Sequence, residues 1–445
     1  MFWQIRCWVM NIKNKELFLN RAKKYFGKDF EKIISLINDE PKTGFFLNQK
    51  KASREEILKL IDFAYKESPL SKTSFYYQSD NIGKSKAYEL GLIYPQGIES
   101  SLESNFVLKD DVKTVIDLCA APGGKTINMM NKLADDVLFV ANDVSYKRAS
   151  VLVSNLERLG LNNVIVTCLK PESFVNKYYE KFDLVILDAP CSGEGMIRKY
   201  PEILDDYSLE NINSLALIQE NLLDVAYKLL KKSGQLLYST CTFAYEEDEN
   251  QIKNFLEKYE DMKLVELDID NNHSSLKGTI KLSFLNDTEG QFISLLRKDG
   301  TSGITNYKYR KCVKNKIVEE FIKNNLDIDN YYLYCEEDKY YLSFIPLFDI
   351  DKGVLVLGIY LGDLKKNRFE PSYALYRSCL LKNKFKYIYD LSDKEYDDYI
   401  SGKELKVSLS DNYYLLTYKN LSCGFGKCSK GVLKNKYPKG LRRVV

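Results

Sequence analysis

From residue 112 onward, short runs of consecutive apolar residues alternate with longer stretches in which apolar positions recur every three to four residues. The runs 114–118, 137–141, 164–168, 182–187 and 234–239 read as strands buried on both faces, and 292–296 as the strand that closes their sheet. Helices are predicted between them over 125–133, 146–159, 209–231 and 246–258, the last opening with acidic residues that suit a helix N-terminus. Strand and helix in alternation mean βαβ units, so residues 111–299 are expected to form an α/β fold: a doubly wound, Rossmann-like parallel sheet. Residues 1–110 carry charged helical pattern at 15–30 and 54–67 and an aromatic patch, Phe75-Tyr76-Tyr77, and read as an accessory helical region. Residues 300–445 change to basic and aromatic texture with short strands at 331–334, 340–344, 354–359 and 413–418, a small β-rich module.

Bulk composition narrows the class. A chain of 445 residues suits about three units, and 45% hydrophobic with 29% charged residues is a globular balance. No stretch reaches the apolar length needed to cross a bilayer, and the opening Met1 to Met10 is apolar but short, followed by Lys13, Lys15 and Glu16 where a cleavage site would stand. A cytoplasmic protein is expected, with Met10 as an alternative start. The ten cysteines are scattered without a Cys-x-x-Cys, which suits a reducing compartment. Cys423 and Cys428 lack convincing further zinc ligands, His273 being the one histidine, so no metal is expected. Net charge is only +3, so any nucleic-acid surface must be local. The segment 427–443 has seven basic residues, no acidic one and Tyr437, a pattern that fits phosphate contact with stacking as well as it fits a solvated tail.

The turn Asp117-Leu-Cys-Ala-Ala-Pro-Gly-Gly-Lys125 joins the first strand of the sheet to its first helix, where backbone N–H groups meet a ligand. It lacks the Gly-x-Gly-x-x-Gly of a dinucleotide site. It comes within one residue of a phosphate-binding loop, since Gly124, Lys125 and Thr126 fit and Cys119 replaces the first glycine. The third class of ligand is S-adenosyl-L-methionine, whose ribose wants an acid after the second strand; Asp143 stands there, or else simply caps the next helix.

Two cysteines follow apolar strands in polar turns: Asp188-Ala-Pro-Cys191 and Ser239-Thr-Cys241. Carbon 5 of cytosine is a poor nucleophile until a thiolate adds at carbon 6, so methylating it needs a cysteine, a group at the ring nitrogen, and a route for elimination. One carboxyl and two thiols at adjacent strand ends meet those needs, whereas either cysteine alone reads as a small buried apolar residue. Which thiol attacks is open at this level.

At these residues the chain resembles the Nop/Sun family of RNA cytosine-5 methyltransferases, through 117–126, 188–195 and 239–243, with a similar lead-in at Gly91-Leu-Ile-Tyr-Pro-Gln96 and a tail, 424–442, like that of bacterial members modifying 16S ribosomal RNA. The resemblance implies a class I methyltransferase core, a PUA-like C-terminal RNA-binding module and an N-terminal region that contacts RNA. It further implies Cys241 as nucleophile, Cys191 assisting release, Asp188 at the cytosine and the cofactor pocket, and Asp143 on the ribose. Cys119, Ala120, Ala121, Pro122, Gly123, Gly124 and Lys125 would line the methionine side of S-adenosyl-L-methionine. The partner implied is ribosomal RNA or a small-subunit particle, with no DNA, membrane or obligate protein partner; a tRNA methyltransferase and an RNA-binding assembly factor without turnover are the alternatives. Lys170 stands where the family usually has an aspartate near the adenine, Phe46 where it has an arginine, and Gly97-Ile98-Glu99 where it has an acidic-Pro-Ser.

Overall fold

The computed structural model describes residues 12–108, 112–301, 303, 306–366 and 368–443. The question of Met1 or Met10 and the 110/111 boundary lie outside these residues. The described chain opens with a helix, Ile12–Phe26, that runs through a 3-10 turn into a second, Phe30–Ser35. Strands β1 (Gly44–Leu47), β2 (Ala64–Ser68), β3 (Ser71–Gln78) and β4 (Ile93–Pro95) then form an antiparallel sheet in the order β2-β3-β1-β4. The front of the chain is thus helix plus sheet, and the helix expected over 54–67 stops at Leu58. Ser53 and Glu56 cap it as a reciprocal box, but from Ala64 the chain pairs with β3, Tyr65 opposite Tyr77. As an edge strand β2 keeps Lys66 and Glu67 exposed, which gave it the charge density of a helix.

The central sheet contains β5 (Thr114–Asp117), β6 (Leu138–Asn142), β7 (Val164–Thr167), β8 (Phe182–Asp188), β9 (Leu230–Thr240), β10 (Met262–Val265), β11 (Ile280–Leu282) and β12 (Gln291–Lys298). Its order runs β10-β12-β9-β8-β5-β6-β7, with β9 to β7 mutually parallel and β12 antiparallel to β9. Alternate residues feed opposite faces: Val185 and Leu187 pack with Leu223 and Ala226 of helix Leu209–Leu229, while Leu184 and Ile186 share a core with Leu152 and Leu156 of helix Tyr146–Leu159. The strand at 292–296 does not close the sheet, because β10 and β11 both pair with it on the far side.

Beyond residue 300 the strands are β13 (Tyr332–Glu336), β14 (Lys339–Ser343), β15 (Val354–Leu357), β16 (Ile359–Lys365), β17 (Arg368–Pro371), β18 (Ile388–Leu391), β19 (Leu405–Lys406), β20 (Tyr413–Tyr418), β21 (Leu421–Ser429) and β22 (Val432–Asn435). They make a four-stranded sheet, β13-β14-β16-β17, and a five-stranded one, β18-β20-β21-β22-β19. β15 belongs to neither. It pairs antiparallel with β7, Val354 opposite Thr167 and Leu357 opposite Ile165, and so covers the open edge of the central sheet. Tyr437, read above as a stacking residue, is instead buried edge-on against Tyr373 and Tyr399. At the tail's end Arg443 pairs with Glu89 of the front region. No helix of the described residues is long and apolar enough to cross a membrane.

Candidate active site

The glycine-rich turn leaves β5 at the carboxyl edge of the sheet, beside the strands where connections switch from one face to the other, the usual seat of a ligand crevice. Asp117 closes the turn by accepting a hydrogen bond from Thr126 Oγ1 at 2.6 Å. Asn142, at the end of β6, donates to the carbonyls of Leu118 and Leu169 at 3.2 and 2.9 Å, fastening the turn to the loop after β7. Gly123 has φ +118° and starts helix Gly124–Lys132; a Cβ there would meet Leu152 at 2.9 Å, so this glycine serves the packing of helix on helix. The other turn residues predicted for the cofactor, Cys119, Ala120, Ala121, Pro122, Gly124 and Lys125, line one cleft with about 560 Å³ of open space, together with Tyr94, Gln96, Asp117 and Asp188. Asp143 is buried behind the cleft. Its carboxylate accepts from the Ser145 N–H at 2.9 Å and faces Arg148 at 3.4 Å, while Arg148 also reaches the carbonyl of Ala121.

The cleft suits the amino-acid end of S-adenosylmethionine. Asp117 Oδ1 is buried without a partner, and burial pushes this carboxyl up to about 7, so an ammonium group there would satisfy an orphaned acceptor. The helix N-terminus beginning at Gly124 is the complementary place for a carboxylate. Asp143 would meet a ribose by exchanging its contact with Arg148 for the sugar hydroxyls.

At the two neighbouring strand ends, Asp188 of β8 is in register with Ser239 of β9. The turns that follow bring Cys191 and Cys241 together, with 3.1 Å between sulfurs and the Cys241 N–H donating to Cys191 Sγ at 3.3 Å. Both thiols are free and partly exposed. The hydrogen bond with Cys241, then burial, raises the Cys191 thiol well above its ordinary range. Asp188 receives Lys125 Nζ at 2.7 Å and the Ser239 hydroxyl at 3.1 Å. Lys125 also lies 3.3 Å from Glu103, a buried residue of helix Ile98–Phe106.

Second contacts fix the thiol turns. Glu247 accepts from the Ser192 N–H at 3.0 Å and from Gln219 at 2.8 Å; Ser192 and Thr242 share a hydrogen bond of 2.7 Å. Glu194 takes the Phe243 N–H at 3.2 Å and the hydroxyl of Tyr207, and burial lifts its carboxyl to about 7. Of these residues Glu103, Glu194 and Glu247 escaped the sequence reading. A lone acid such as Glu103, or one in an acidic run such as Glu247 within 246–249, looks like solvent-facing or helix-start charge, and only the spacing of Glu194 three residues after Cys191 offered a signal.

Three family descriptions match the chain in order: the N-terminal domain of 16S rRNA methyltransferase RsmF over residues 15–97, 16S rRNA methyltransferase RsmB/F over 106–297, and the methyltransferase RsmF PUA domain over 386–443. The chain belongs to the RsmB/F family of methyltransferases. It is accordingly an S-adenosylmethionine-dependent RNA methyltransferase. The ribosomal RNA small subunit methyltransferase F of Aliivibrio fischeri is 28% identical over 409 residues, 84% of this chain and 85% of its own length. That of Shewanella piezotolerans is 27% identical over 457 residues, 92% of this chain and 93% of its own. Among solved structures, a methyltransferase homolog protein from Pyrococcus horikoshii aligns with a TM-score of 0.55 at 28% identity, covering 63% of this chain and 94% of that one. NSun6 from the same organism, solved with SFG, aligns with a TM-score of 0.57 at 23% identity over 64% of this chain and 98% of its own, and shares the fold. In this RsmB/F member, β13 to β17 fall between the matched regions, and β15 among them completes the edge of the methyltransferase sheet.

Proposed function

We propose that the protein methylates carbon 5 of a cytosine in 16S ribosomal RNA through a covalent adduct on Cys241. The carrying observation is the sulfur pair, 3.1 Å apart, beside a carboxylate held by Lys125. Following the family resemblance, Cys241, in contact with Cys191, is taken as the sulfur that attacks. Its thiolate adds to carbon 6, and the pair of electrons from the carbon 5–carbon 6 double bond becomes available at carbon 5. S-adenosylmethionine in the cleft supplies the methyl group. Asp188, which lines the cleft, contacts the edge of the base in this reading. Loss of the carbon 5 proton then restores the double bond as the carbon–sulfur bond breaks, and Cys191 assists that release. Access to the ring face requires a flipped or unpaired base. In this reading the division 1–110, 111–299 and 300–445 gives RNA contact to the two flanking regions, with β15 as an interlock between the last two.

RNA carrying 5-fluorocytosine at the target, which cannot lose a proton from carbon 5, tests the adduct: a band shifted on a denaturing gel is expected for the wild type and absent for Cys241→Ala. Cys191→Ala should accumulate the adduct with ordinary RNA. Methyl transfer to 30S particles, naked 16S RNA and tRNA, compared side by side, decides the substrate; preference for tRNA would replace it.

A further inference from the structure

The residues that surround Asp188 include one the mechanism above does not use. Glu103 is 1% exposed, on a helix laid across the sheet beside the cleft. Its Oε1 accepts from Gln291 Nε2 at 3.0 Å and lies 3.3 Å from Lys125 Nζ, while Oε2 is buried with no partner. Lys125 is closer to Asp188, at 2.7 Å. One ammonium therefore faces two carboxyls and lies nearer to Asp188.

Resting on the function just proposed, we infer that Glu103 is a positioning residue for Asp188: neutral, it leaves the Lys125 ammonium to Asp188, and ionised, it draws that ammonium away. The bare Oε2 is where the proton sits, because Oε1 is already occupied by two donors and a second negative oxygen in that position would have no solvation. Burial, aided by the neighbouring Asp188 and against the pull of Lys125, lifts the Glu103 carboxyl to about 8. Lys125 and Asp188 are the charged groups facing it. Deprotonation above that pH puts two negative charges against one positive charge in a desolvated site. Asp188 then loses the partner that orients it.

The nucleophile needs to lose a proton, which makes turnover rise with pH, so a fall on the alkaline side has the opposite sign and separates the two groups. The experiment is kcat/KM for methyl transfer to 16S RNA by the full chain between pH 6 and pH 9.5, for the wild type and Glu103→Gln. The ratio of variant to wild type is expected to rise roughly tenfold from pH 7 to pH 9, as a carboxyl titrating near 8 passes from mostly neutral to mostly ionised. A merely structural glutamate would lower activity equally at all pH values. Infrared difference spectra of the protein without RNA give a second readout: the protonated-carboxyl absorption lost between pH 7 and pH 9 should be smaller in Glu103→Gln by one carboxyl, the contributions of Asp117 and Glu194, both raised to about 7, being common to the two proteins. Gln291→Met, which removes a donor to the charged form, should move that loss to higher pH, and serves if Glu103→Gln does not fold. An active wild type whose profile runs parallel to that of the variant overturns the role of Glu103 alone. A wild type that transfers no methyl at any pH sinks the proposed function, and the infrared comparison still decides where the Glu103 proton is: an equal loss between pH 7 and pH 9 in the wild type and in Glu103→Gln overturns the inference.

Discussion

Gly195 has no room for a side chain. A Cβ there would stand 2.6 Å from Gly290 Cα and 2.8 Å from the Cys241 carbonyl, to which the Gly195 N–H is bonded at 3.0 Å. Gly195→Ala must therefore push the two thiol turns apart, an overpacking cost of roughly 1 to 3 kcal/mol. The expected result is a drop in kcat of at least about tenfold with S-adenosylmethionine affinity unchanged by calorimetry, because the cleft lies on the other side of Asp188. Asp117 gives a prediction with a pH sign. Its carboxyl is raised in the folded protein to about 7, so the stability it contributes is complete below the ordinary carboxylate range and is lost as pH rises through about 7. Asp117→Asn removes that loss while an amide oxygen can still accept from Thr126. The melting temperature of the variant relative to the wild type should be higher at pH 8 than at pH 5; a constant difference would show Asp117 already ionised. At this scale the sequence reveals Asp188, Cys191, Cys241 and the turn, since each ends an apolar strand in a polar setting. It does not reveal that the two sulfurs touch, because that contact spans 50 residues of chain.

At the scale of elements, the front helix does more than flank the core. Arg21 of Ile12–Phe26 pairs with Glu246 at 2.6 Å and donates to the Tyr207 hydroxyl at 3.1 Å; Tyr207 in turn bonds Glu194, which holds the Phe243 N–H two residues after Cys241. Burial opposes the charge on Arg21, but the bond to Glu246 together with the neighbouring Tyr25, Tyr207 and the Glu246 charge outweighs it, and the guanidinium stays firmly protonated. Arg21→Ala leaves Glu246 and Tyr207 without that partner, a loss of about 1 to 3 kcal/mol. Methyl transfer should slow while cofactor binding holds; equal loss of both would show that the helix supports the whole fold rather than the thiol turn. The parallel strands were legible because burial on both faces leaves continuous apolar runs. β2 was not, since an edge strand bears charges, and β15 was read as a strand but not as part of the central sheet. Four apolar residues announce a strand without naming a partner almost 190 positions earlier.

The whole molecule is tied at one point by Arg377. Fully buried, its guanidinium donates to the carbonyls of Arg158 at 2.7 Å, Glu89 at 3.0 Å and Ser422 at 2.7 Å, one from the central fold, one from the front and one from the tail. Gly91 and Gly160, both with positive φ, let the backbones come this close: a Cβ on either would sit 2.2 Å from the Arg158 carbonyl or 2.1 Å from that of Arg377. Arg377→Met would strand three carbonyl groups and should lower the first thermal transition by several degrees, a cost of roughly 3 to 5 kcal/mol. The three regions are therefore a single mechanical unit around the sheet, and the chain beyond 300 has a structural role besides the RNA contact proposed for it. A chain ended at residue 299 would keep every residue of the cleft and both cysteines. It would also uncover the N–H and C=O groups of β7 that Val354–Leu357 satisfy, along with Ile165 and Val166 at an open apolar edge. Such an edge pairs with whatever strand it meets, so the truncated chain is expected to aggregate, as size-exclusion chromatography would show, while the full chain, in which β15 covers that edge, stays monodisperse. Soluble, monomeric 1–299 protein would show that β15 is dispensable and that the core folds unaided.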